Sequence, residues 1–186
     1  MNVSSSNTHQ INELWLRFLA LLHQNDLDHA LERANEIADI DPNHALGPLG
    51  VGMVYARMPS GAQQARLALE QAYRLSEWAR SVTNDTRQWL YGARARRYVA
   101  LLCANDRRQQ HLRCALADIE HCRARCTLPL GPEFMAERGL LLVAADDHRG
   151  GMELLRQACA QEPRRTVSSA VVHHHCFKLV TRSRCT

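Results

Sequence analysis

The sequence predicts an all-helical protein made of antiparallel helix pairs stacked in a row. Three observations carry this. Alanine, leucine, arginine, glutamate and glutamine, all good helix formers, dominate the middle of the chain. β-Branched residues, which favour strands, are sparse until the last twenty positions. Apolar residues recur at helical spacing in blocks separated by polar breaks and closed by prolines, and the blocks at the two ends each run about 32 residues. At 186 residues and 46% hydrophobic content, the chain can build one domain with a sizeable core.

Residues 1–10 are polar and uncharged apart from one histidine, so they are expected to be disordered. No basic start leads into an apolar stretch, so no secretory signal is expected. The first unit covers 11–42. Leu14, Trp15, Phe18, Leu19, Leu21 and Leu22 form one helix. Gln24-Asn25-Asp26 breaks it, and Ala30, Ala34, Ile37 and Ile40 line a second helix. Asp41-Pro42 stops that helix, because proline cannot continue it and disfavours helix in the residue before it.

The second unit, 43–79, opens with three glycines within 46–53, turns at 58–61 and continues with Ala65, Leu69, Ala72 and Leu75 on one face. The third, 84–127, is irregular. It reads as a long helix over 86–104 carrying Trp89, Leu90, Ala93, Tyr98, Leu101 and Leu102. A turn at Asn105-Asp106 follows, then a helix with Leu112, Ala115, Leu116 and Ile119 that runs toward Cys126. The fourth, 132–163, has Phe134, Met135, Gly139, Leu142 and Val143, a break at 146–151, then Leu154, Leu155, Ala158 and Cys159, closed by Glu162-Pro163. The basic tail, 164–186, has no acidic residue and no assigned structure.

Residues 25–32 resemble the turn and second-helix start of tetratricopeptide repeats, and residues 37–42 resemble their end. Leu46, Leu49 and Gly50 resemble the family's first-helix signature. Met135, Gly139, Leu142, Ala158 and Pro163 match the fourth unit, with Gly151 where an alanine is usual. Over roughly 11–163 the chain thus resembles a bacterial tetratricopeptide-repeat protein of about four degenerate repeats. The resemblance implies a short right-handed superhelix in which small residues let helices approach closely. It also implies a protein–protein interaction module and no enzymatic activity.

Members of this family bind partners in a concave groove lined by the first helix of each unit. Carried over, that groove is lined here by Trp15, Leu19, Leu22, Val51, Val54, Tyr55, Leu140 and Val143. The family's carboxylate clamp of lysine, asparagine and arginine falls on Trp15, Leu19 and Pro48, so the clamp is absent. An apolar groove suits an amphipathic helix or an extended hydrophobic segment. The expected function is an adaptor or chaperone-like protein that shelters such a segment of a partner, similar in size and repeat count to the small tetratricopeptide chaperones of secretion systems. The expected location is the cytoplasm, since no apolar run approaches the roughly 18 residues of a membrane span.

Charge alternates along the chain. Residues 1–79 hold five basic against nine acidic residues, and residues 80–131 hold ten against four. Arg80, Arg87 and Arg94 recur every seven residues and form a stripe on one helical face if their helix is continuous; Arg97 adds to it. The alternative function is therefore a self-associating structural or regulatory scaffold that docks acidic partners through an arginine-rich face. The plain reading of the same residues is a solvated helical surface. Nucleic acid is disfavoured, because no recognition motif accompanies the charge and the pI is about 8.8.

The seven cysteines show no paired short spacing, so neither a disulfide framework nor a zinc site is expected. His111, Cys114, His121, Cys122 and Cys126 fall near one another on an unbroken helix, and His173-His174-His175-Cys176 is a second run of ligand types. Neither has the loop-borne pairs of a structural zinc site. No phosphate loop, nucleophile elbow or HExxH is present, so no catalytic residue and no cofactor is assigned.

Overall fold

The computed structural model describes residues 3–126 and 131–161. Among the described residues there are eight helices and no strand. They are α1 (Val3–Gln24), α2 (Leu27–Ile40), α3 (Leu46–Tyr55), α4 (Ala62–Val82), α5 (Arg87–Leu101), α6 (Asn105–Arg125), α7 (Pro132–Ala144) and α8 (His148–Gln161). Each helix packs on the next along the chain, and α1, α3, α5 and α7 also touch in succession. Helix pairs therefore stack side by side, with the first helices of the pairs forming one layer. This is the all-helical repeat stack that the sequence predicts.

The same turn device opens the second helix of the first and last pairs. Asn25 (φ 61°) and Asp146 (φ 70°) take the left-handed conformation that ends α1 and α7. Asparagine and aspartate tolerate it better than other side-chain-bearing residues. The next residue then caps the following helix: Asp26 accepts from the His29 N–H, and Asp147 Oδ1 accepts from the Gly150 N–H at 2.9 Å.

Three boundaries differ from the sequence reading. Helix α1 begins at Val3, so most of the polar segment 1–10 is helical rather than disordered. Extending an existing helix adds a hydrogen bond per residue without a new nucleation cost, and Ile11, buried in the core, anchors the helix just beyond. In the third unit the turn precedes Asn105, which is the first residue of α6. In the fourth, Gly150 and Gly151 lie inside α8 rather than in the break.

Gly151 explains its own placement. A Cβ there would lie 2.7 Å from the Gly139 carbonyl oxygen and 2.6 Å from Val143 Cγ2. Built on Gly139, it would lie 2.9 Å from the Gly151 carbonyl oxygen. The two glycines face each other where α7 crosses α8, so the backbones themselves are in contact. In the first two units, Gly50 sits against Ala34 and Phe18, Gly47 against Ala38, and Gly52 against Leu69. The small residues of α3 thus seat it between α2 and α4.

One large apolar core runs from Ile11 on α1 through Phe18, Leu49, Leu69, Leu90 and Ile119 to Leu141 on α7. A second, smaller core of Ala136, Leu140, Val143, Leu155 and Ala158 belongs to α7 and α8 alone. The last pair therefore keeps much of its apolar surface to itself.

Candidate functional site

The first-helix layer was the predicted partner surface. Trp15 and Leu19 are 8% exposed, Leu140 and Val143 are 6% exposed, and Leu22 and Val54 are fully covered. Trp15 stacks on Phe18 with ring centroids 4.7 Å apart. Val51 and Tyr55, one turn apart on α3, are half-buried and pack against the main core. They are the two predicted lining residues that present appreciable apolar surface. Beside them Arg57 donates to the Leu22 carbonyl, tying the end of α3 to α1.

The arginine block is placed differently from a solvated stripe. The helix breaks at 83–86, so the seven-residue spacing of Arg80, Arg87 and Arg94 spans two helices. Thr83 ends α4, with its hydroxyl donating to the Ala79 carbonyl at 2.9 Å. Asp85 then accepts from the Arg87 N–H at 3.1 Å and starts α5. Arg87 is the exposed member and pairs locally with Asp85 at 3.0 Å. Arg80, Arg94 and Arg97 turn inward.

Two polar ties result. In the first, Arg94 and Arg97 of α5 both grip Glu137 of α7. Arg94 Nε donates to Glu137 Oε2 at 3.0 Å, and Arg97 donates from Nε and Nη2. The Glu137 side chain is 1% exposed and that of Arg97 is 5%. Burial opposes the charge on Glu137, but Arg97 and Arg94 outweigh it and bring its pKa down to about 2. Burial likewise works against the Arg97 cation, and Glu137 overcomes it and holds that pKa above the usual arginine value. The apolar core on α7 and this ion triad share one helix.

In the second tie, Arg80 of α4 crosses α5 to reach Asp118 of α6, with Nη1 3.1 Å from Oδ1. It crosses where Gly92 leaves room: a Cβ on Gly92 would collide with the Arg80 guanidinium and lie 2.7 Å from Ser76 Oγ. Arg96 Nε stands 3.6 Å from Asp118 Oδ2. Burial raises the Asp118 pKa against the pull of Arg80 and Arg96. Aromatic rings interleave with the cations. Trp89 lies under Arg80 at 4.3 Å and beside Arg125 at 5.6 Å, and Tyr73 lies under Arg96 at 4.0 Å and beside Arg80 at 5.7 Å. The Tyr73 hydroxyl accepts from Arg96 and donates to Glu77. Arg125, Trp89, Arg80, Tyr73 and Arg96 thus alternate cation and ring across three helices.

Sequence reasoning missed the outer face of α4. Leu67, Trp78 and Val82 are 61%, 54% and 58% exposed. The signal was available: the buried phase of α4 is Ala65, Leu69, Ala72, Ser76 and Ala79, and these three fall outside it. His111, Cys114 and His121 do not gather with Cys122 and Cys126. Among the described residues no group of three or more histidine, cysteine, aspartate or glutamate side chains is arranged to hold a metal ion. The run at 173–176 lies outside the described residues, as does the basic tail. Among the described residues no helix is long and apolar enough to cross a membrane.

No protein-family model matches the chain, and no curated protein matches it. Among solved structures it is similar to YrrB, described as a TPR protein with an unusual peptide-binding site. The match covers 87% of this chain and 90% of that one, at 17% identity and a TM-score of 0.30, too loose a superposition to assign a family.

Proposed function

We propose that this protein is a helical-repeat interaction module that holds a hydrophobic or amphipathic segment of another protein against its first-helix layer. The observation that carries the reading is Val51 and Tyr55: partly buried apolar side chains, one turn apart, at the middle of a continuous layer of first helices. Spacing of one turn suits the i, i+4 anchors of a partner helix. In this reading the protein works as an adaptor or chaperone in the cytoplasm and runs no reaction, and the small chaperones of secretion systems are the working analogy. Docking of acidic partners through arginines has less support, because Arg80, Arg94 and Arg97 are already paired within the chain.

A photo-reactive phenylalanine analogue in place of Tyr55, in the native cell, tests the reading. A discrete protein adduct is expected at position 55, lost when Val51→Glu is added and the helical circular dichroism is unchanged. The same analogue at Gln109, exposed on α6, should give no such adduct. Equal adducts at both positions, or none at 55, would overturn the assignment.

A further inference from the structure

Helix α6 ends in two thiols that no part of the binding reading uses. Cys122 is buried and Cys126 is half-buried, and their Sγ atoms are 3.9 Å apart. Cys126 is the C-cap. Its N–H still donates to the Cys122 carbonyl at 3.1 Å, but its backbone has left the helix, at φ −81° and ψ 127°. Residues four apart on a helix have Cα atoms about 6 Å apart, inside the roughly 4.4–6.8 Å that disulfides bridge. The sulfurs must close to about 2.05 Å and the Cβ atoms, about 5–6 Å apart one turn along a helix, to about 3.5–4.5 Å, and that movement falls on Cys126, the C-cap whose ψ has already left helical values.

The surroundings give the two sulfurs different parts. Cys126 is the more accessible, so an oxidant reaches it first. Cys122 lies behind it, with its Sγ 3.7 Å from the Thr86 carbonyl, which holds that sulfur in place from the α4–α5 turn. Burial, with the neighbouring Cys126, raises the pKa of the Cys122 thiol in the reduced pair.

We infer that Cys122 and Cys126 form a redox-active dithiol, converted by hydroperoxides to a disulfide within the last turn of α6. Cys126 sulfur attacks a peroxide oxygen, the O–O bond breaks, the departing oxygen takes the Cys126 proton and leaves as alcohol or water, and Cys126 becomes a sulfenic acid. Cys122 sulfur then attacks that sulfur. The S–S bond forms, the S–O bond breaks, and the released hydroxide leaves with the Cys122 proton as water. Two thiols have lost two hydrogens, and one peroxide has been reduced.

The test uses the full chain with Cys114→Ser, treated with hydrogen peroxide and digested with trypsin without reduction. Trypsin cuts after Arg123 and Arg125, between the two cysteines, so the disulfide joins a peptide ending at Arg123 to one beginning at Cys126. The linked pair, lost on reduction, is the expected result. Cys126→Ser, at the more accessible site, should leave Cys122 as a free thiol after the same treatment. Phenylarsine oxide, which needs two thiols in reach of one arsenic, should bridge the same two peptides in the reduced protein, and prior peroxide treatment should block it. Sulfinic acid at Cys126, its linkage to any other cysteine, or an unreacted Cys126 would each overturn the inference.

Discussion

Upon one shared apolar core, the junctions from α2 to α4 and the ties from α4 to α7 use different materials. Between α2, α3 and α4, glycine and alanine let apolar surfaces meet: Gly50 on Ala34 and Phe18, Gly52 on Leu69. Between α4 and α7, the helices are joined by long cationic side chains that reach acids on another helix: Arg80 to Asp118, and Arg94 and Arg97 to Glu137. An apolar junction is close to additive in the area it buries. A buried ion cluster is not, because removing one member leaves its partner charged in a place that cannot solvate it. In the chain's positive middle Arg80, Arg94, Arg96 and Arg97 are thus internal struts, while Arg87, Arg107, Arg113, Arg123 and Arg125 stay exposed.

The sharpest break of this contrast is Glu137→Leu. It strands Arg97, and urea unfolding should show a loss of about 3–5 kcal/mol. Adding Arg97→Met should restore part of that loss, since it removes the fully buried stranded charge and leaves Arg94, whose side chain is 15% exposed, as the one cation without its acid. Phe18→Ala, in the apolar junction, should also cost about 3–5 kcal/mol, but no single companion substitution should recover it. If Arg97→Met merely adds to the loss, the strut description is wrong.

Next in size is Gly139→Ala. In an ordinary helix interior, alanine gains up to about 1 kcal/mol over glycine. Here the new methyl meets the Gly151 carbonyl and Leu155, so a net loss of about 1–3 kcal/mol is expected. A gain in the denaturation midpoint would mean that α7 and α8 do not cross backbone to backbone.

Acid should probe the second half selectively. The pKa of Glu137 falls from 4.5 to about 2 on folding. Its contribution is therefore present above pH 4.5 and is lost as the pH drops toward about 2. The wild type should lose stability across that window more steeply than the Glu137→Leu, Arg97→Met variant.

The smallest effect belongs to the first half. His44 Nδ1 accepts from the Leu46 N–H at 3.2 Å, ahead of α3, and burial lowers its pKa below 6.5. Because the unfolded chain takes up the proton more readily, stability should begin to fall as the pH drops below 6.5. His44→Asn should flatten that slope in thermal melts between neutral and mildly acid pH.

Much of the fold was legible because its determinants are local. Asn25-Asp26, Asp41-Pro42 and the alanine-rich faces of α2 and α4 act within one or two turns. The arginine ties were not legible, because Arg94 and Glu137 meet across 43 positions and nothing at either residue names the other. Gly150-Gly151 read as a loop because glycine weakens a helix, and only the facing Gly139 shows why it is tolerated. The groove lining was carried over from the family resemblance, and neither that nor periodicity separates a side chain that faces outward from one that faces the next helix. Burial divides them, leaving Val51 and Tyr55 accessible and covering Leu22 and Val54.

Helix α5 carries four arginines, yet ten of its fifteen residues are buried. Charged helices are commonly the segments most open to sequence drift. This one should tolerate the least. Exchanging Arg97 for lysine would keep the charge and lose the planar fork, and enlarging Gly92 would block the crossing of Arg80 from α4. Random mutagenesis with selection for soluble protein should therefore deplete variation in α5 more strongly than in α2, although α2 would pass for the more hydrophobic of the two.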